Sequence, residues 1–177
     1  MGFLKVIDYI NEHIGRVVAY IGAVMMFIVT YEVVMRYIFN RSTSWALEIN
    51  QSLLCIYAAL AGGYTLLRRG HVNVEIVYSR FGMRTRMVID ILTSFLFFGF
   101  IIVLLWQTWD MALDSLILRE RSEGLLGLPL YPAKIAIVIG VLLILMQGIA
   151  NFIRSIVALT TGVEPPKSAG IFEKAKK

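Results

Sequence analysis

Cysteine, histidine and charge are all scarce in this sequence, and each scarcity closes off a class of function. Cys55 is the only cysteine, so no disulfide forms within the chain, and a lone thiol inside an apolar segment reads as a small packing residue. The two histidines, His13 and His71, fall outside the long apolar runs, whereas a membrane haem needs axial ligands held deep in a bundle. No Walker-type phosphate loop occurs, so direct ATP drive has no site. No cofactor is expected. Charged residues make up only 16% of 177 positions and hydrophobic ones 58%, which excludes an ordinary soluble domain.

What is present is four long apolar segments, read as one all-α integral membrane domain over residues 1–177. Transmembrane helices are expected over 17–37, 45–67, 87–109 and 132–157, each long enough to cross about 30 Å of hydrocarbon at about 1.5 Å per residue. Ahead of them, 3–14 places Phe3, Leu4, Ile7, Ile10 and Ile14 on one stripe, with Lys5, Asp8, Glu12 and His13 away from it. That pattern suits a separate helix lying in the membrane interface. Asp8 and Glu12 make it a poor signal-peptide n-region. Residues 160–177, with Pro165 and Pro166, read as a mobile tail.

The second segment has two unlike faces. Glu48, Gln51, Ser52, Cys55, Ala58, Ala59, Gly62 and Gly63 recur at steps of three and four on one side. Small residues let membrane helices approach and polar ones hydrogen-bond across the contact. This face is therefore a candidate subunit interface, and packing within the chain's own bundle is the alternative. Glu32 and Arg36 stand at i,i+4 near the end of the first span. The short 39–44 connection folds the first two spans into an antiparallel hairpin, bringing Glu48 to similar depth. Arg36, Glu48 and Glu32 thus form a candidate charge set.

The net charge of +5 reports topology rather than a nucleic-acid partner. Counted by side, 12 lysines and arginines fall on the face carrying both termini and the 68–86 loop, against 5 on the other. Positive-inside logic puts both termini in the cytoplasm. Arg68, Arg69 and His71 then anchor the inner end of the second helix, either to anionic lipid headgroups or to a partner. The 110–131 connection faces outward. Its 110–123 part extends the third helix as an amphipathic piece, and 124–132 forms an apolar, turn-rich link. Arg119, Glu120, Arg121 and Glu123 beside the Leu125 to Tyr131 run suit a docking rim for a periplasmic protein. A lid over the bundle's own outer end is the other reading.

The ordered run Arg36-x-x-x-Asn40, Trp45-x-x-Glu48, Ala61-Gly62 and Arg69-Gly70-His71-Val72-x-Val74-Glu75, followed by Gly127-Leu-Pro-Leu-Tyr-Pro, resembles the small membrane subunit of tripartite ATP-independent periplasmic (TRAP) transporters. The resemblance covers almost the whole chain. It departs at Leu47, where many members carry a second acid, and at Asn50 and Gln51, where a basic residue often follows. The resemblance implies a bacterial or archaeal inner-membrane protein working with a large transport subunit and a soluble substrate-binding protein. In that family the large subunit carries the substrate and sodium sites, and the small one is a stationary brace. Two other classes remain beside it: a small proton-coupled four-helix exporter using a membrane carboxylate such as Glu32, and a membrane anchor of a redox complex.

Overall fold

The computed structural model describes residues 2–41, 43–67 and 83–161. They form four helices: α1 Gly2–Tyr37, α2 Ser44–Leu67, α3 Met83–Ile117 and α4 Tyr131–Thr161. Three stretches are long and apolar enough to cross a membrane, namely Leu4–Tyr37, Ile91–Ile117 and Tyr131–Val157. α2 is more polar, since Asn50, Gln51, Ser52 and Thr65 interrupt it. Arg68, Arg69, His71 and the segment after Thr161 lie outside the described residues.

Two expected boundaries change. The pieces 3–14 and 17–37 are one unbroken helix of 36 residues, about 54 Å long at 1.5 Å per residue. Gly15 does not break it, because Gly15 is where the Tyr64 ring of α2 lies against its backbone. The third helix runs past 109 to Ile117, taking up the amphipathic extension. It ends in a Schellman motif: the Glu120 N–H donates to the Ser115 carbonyl at 3.1 Å and the Arg119 N–H to Leu116 at 3.4 Å. Arg119 holds the left-handed position with φ of 47°, where glycine is usual.

α4 is the central element. It packs extensively on both α2 and α3, while α2 packs also on α1. Buried residues follow that order, with Ala133, Val138, Val141, Leu143, Gln147 and Ala150 on α4 the largest group. Close backbone approach explains the α2–α4 seam. Gly140 has no room for a β-carbon beside the Ala59 carbonyl, and Gly63 has none beside Asn11 and Leu143. On the other flank Phe97 lies against Gly148, and Phe98 meets Phe152 edge to face at 5.6 Å between centroids, a favoured aromatic geometry. Outward from this spine, Ile135, Ile139, Leu142, Ile149, Ile153 and Ile156 form an exposed aliphatic stripe along α4.

Candidate functional site

Polar chemistry gathers at the two ends of the helices. At the end shared by the start of α1 and the close of α4, Asn11 is 1% exposed and Gln147 is fully buried. The Asn11 amide donates to Gln147 Oε1 at 2.9 Å and to the Ile7 carbonyl at 3.2 Å. Gln147 Nε2 donates to Asp8 Oδ1 at 3.2 Å and to Asn151 Oδ1 at 3.4 Å. Arg154 forms an ion pair with Asp8 and reaches Asn151 Oδ1 at 3.4 Å. The Asn151 amide in turn donates to the Leu66 carbonyl of α2 at 3.5 Å. Three helices are thus joined by groups that must find partners once removed from water.

Residue spacing builds this cluster. Gln147, Asn151 and Arg154 recur at four and three on α4, and Ile7 and Asn11 at four on α1. The α4 stripe is legible in the sequence. Asn11 is harder to find, because it interrupts an apolar stripe, and Asp8 turns toward α4 rather than away from the packed face. A partly buried ion pair such as Asp8–Arg154 adds little net stability, because desolvation offsets much of the attraction.

At the opposite end the candidate charge set divides. Arg36 pairs with Glu32 at 2.7 Å, and the second oxygen of Glu32 accepts the Thr43 N–H at 3.1 Å. Glu32 therefore ties the start of α2 back to α1. Glu48 does not pair with Arg36. It accepts the Leu126 N–H at 3.1 Å instead, and its carboxylate lies against Gly124, where no β-carbon fits. The partner is a backbone group, so no residue-type pattern could have announced it.

The connection from α3 to α4 is a closed hairpin rather than a loose link. Leu130 N–H donates to the Glu120 carbonyl at 3.0 Å and Ser122 N–H to Leu128 at 2.8 Å, and Gly127 turns the tip with φ of 56°. Lys134 in the first turn of α4 holds the Glu120 side chain at its base. That ammonium keeps the Glu120 carboxyl below its ordinary value of 4.5. Of the four rim residues, Arg119, Arg121 and Glu123 are exposed and Glu120 is engaged. Leu125 at the tip is 86% exposed.

The small and polar face of α2 also divides. Ala59, Gly62 and Gly63 pack against the chain's own α4, whereas Gln51 and Ala58 are exposed. Glu48, Ser52 and Cys55 are half-buried between these extremes.

Long apolar helices tied together by polar groups near their two ends are the makings of a membrane component. The family profile of the tripartite ATP-independent periplasmic transporters, DctQ component, matches residues 25–158, and the chain belongs to that family. It is the small component of a tripartite transporter, whose other parts are a large membrane subunit and a binding protein. No curated protein matches the sequence closely enough to be set beside it. The match begins after Asp8 and Asn11, so the α1 half of the polar cluster lies ahead of it.

Proposed function

We propose that this chain is the stationary brace of an inner-membrane, ion-gradient-driven solute importer, supporting the large transport subunit and offering a docking surface to the periplasmic binding protein. The observation that carries the reading is the tying of the helices at both ends. Asp8 and Asn11 hold Arg154 and Gln147 at one end, and Glu48 holds the α3–α4 hairpin at the other. Such a body suits a support better than a mover. Moving carriers use broken helices that expose backbone groups to ions near the midplane, and the described helices run unbroken.

Both termini are cytoplasmic in this reading, so the polar cluster is inner and the hairpin is outer. The exposed aliphatic stripe of α4 faces the large subunit or lipid. Arg119, Arg121 and Leu125 meet the binding protein, with charge for steering and an apolar tip for contact. Sodium symport belongs to the large subunit. The exporter reading is less well supported, because Glu32 is already engaged by Arg36 and the Thr43 N–H.

Reconstitution in liposomes tests the proposal. This chain alone, the large subunit alone and both together are each supplied with binding protein and a sodium gradient. Uptake is expected only with both. Accumulation by this chain alone would overturn the assignment, and full uptake by the large subunit alone would make the brace dispensable.

A further inference from the structure

The tip of the outer hairpin leans on a single side chain. Glu48 Oε1 accepts the Leu126 N–H at 3.1 Å, across a sequence separation of 78 residues. The same carboxylate fills the space over Gly124, where any β-carbon would collide with it. Its other oxygen, Oε2, is shut away from solvent and receives no donor among the described residues. That oxygen has given up water without gaining a donor in exchange. The hairpin's own bonds, Leu130 to Glu120 and Ser122 to Leu128, fix its shape. Lys134 fixes its base through Glu120. Neither fixes where the tip lies relative to α2.

We infer that Glu48 is the positioning residue of the outer hairpin, a latch that holds residues 124–127 over the end of α2 and so sets where Leu125 and Arg121 are presented to the binding protein. The inference rests on the docking role proposed above. The incomplete pairing of Glu48 makes the latch releasable: lifting the tip loses one charge-assisted bond and returns the covered oxygen of a half-buried carboxylate to water. Leu125, 86% exposed beside a half-exposed Leu126, is then an apolar contact whose position depends on a residue on another helix.

The test uses the complete transporter in liposomes with Glu48→Ala, Glu48→Gln and Gly124→Ala. Two readouts are taken: amide hydrogen exchange over residues 122–128, and uptake against binding-protein concentration. Loss of a hydrogen bond to a charged group is expected to speed exchange at Leu126 by at least about tenfold in Glu48→Ala. Half-saturation should move to higher binding-protein concentration while saturated uptake is kept. Glu48→Gln retains an acceptor oxygen and should stay near the parent in both. Gly124→Ala puts a β-carbon where the Glu48 carboxylate lies, so either that side chain or the tip must shift. Both break the Leu126 bond with the carboxylate still present, and the variant should resemble Glu48→Ala, which keeps the test usable if that variant fails to assemble. Unchanged exchange in both Glu48→Ala and Gly124→Ala overturns the latch. Faster exchange with unchanged half-saturation overturns the positioning role. Charge reversal at Arg119 and Arg121 then separates the failures: if it shifts half-saturation, docking stands without the latch, and if it does not, the docking reading falls as well.

Discussion

Gly140 of α4 lies flat against the main-chain carbonyl of Ala59 on α2, with no space for a β-carbon between them. Gly62, on the same α2 face, meets only the Ile144 side chain, whose Cδ1 would stand 2.6 Å from an added β-carbon. A flexible side-chain end can move, and a helix backbone cannot without parting the seam. Gly140→Ala should therefore destabilise by roughly 1–3 kcal/mol, as overpacking does. Gly62→Ala should fall within about 1 kcal/mol of the parent, because gained helix propensity offsets the crowding. Thermal unfolding of the two variants in one detergent checks the order.

Asn11 and Gln147 should prove energetically coupled. Each alanine variant leaves the other amide buried without its partner, and the double variant leaves neither. Interhelical hydrogen bonds in membrane bundles average about 0.6 kcal/mol and reach about 1.7 kcal/mol. Full burial of Gln147 puts this pair toward the upper figure. A double-mutant cycle giving losses that simply add would show that the amides act independently.

Arg36 and Glu48 have different partners, so Arg36→Ala and Glu48→Ala should add in their effect on stability. Arg36→Ala and Glu32→Ala should not, because those two side chains pair at 2.7 Å. The Glu32 loss should be the larger, since it also frees the Thr43 N–H. Melting temperatures of the singles and both doubles separate the cases.

Glu120 supplies a pH signature. Its folded-state value lies below the ordinary 4.5, chiefly through the Lys134 hydrogen bond. A lowered carboxylate value means that the contribution is complete above the ordinary value and is lost as pH falls through the folded one. Carbon NMR of the Glu120 carboxyl should titrate below 4.5 in the parent and move upward in Lys134→Gln. An unmoved midpoint would show that Lys134 does not hold the carboxylate in solution.

Arg119 combines an exposed charge with a left-handed backbone, φ 47°. Arg119→Gly should stabilise the end of α3 by about 0.5–1 kcal/mol, because glycine carries no β-carbon penalty there. Under the proposed docking role the same change also removes a rim charge, so binding-protein half-saturation should rise while the melting temperature rises too. Arg119→Ala, which lacks the charge but keeps the β-carbon, should weaken docking without raising the melting temperature.

The all-helical chain and the polar run on α4 were legible because apolar runs and residue spacing report helices and their faces directly, and the α1–α2 hairpin because its 39–44 connection is short. Membership of the transporter family was legible from the order of its weak motifs. Two things were not. The charges near the start of α1 made it read as two pieces, yet packing against α2 and α4 carries the helix through. Glu48 pointed toward Arg36 because opposite charges at one depth suggest a pair, but its partner is the main chain of a hairpin whose fold no side-chain pattern encoded. The division of the α2 face had the same cause. Spacing shows which residues share a side, and only the position of α4 decides that Gly62 and Gly63 turn inward while Gln51 and Ala58 do not.

The polar cluster joining α1 and α4 bears on the order in which the protein is made. Asp8 and Asn11 leave the ribosome well before their partners, which follow 146 and 136 positions later. Until α4 arrives, the first helix carries an acid and an amide whose eventual partners have not yet been synthesised. Contacts of such long sequence separation form late and slowly. A chain cut short before Gln147 would leave Asp8 without Arg154 and Asn11 without Gln147, so an unfinished product differs from a complete one at the very start of α1.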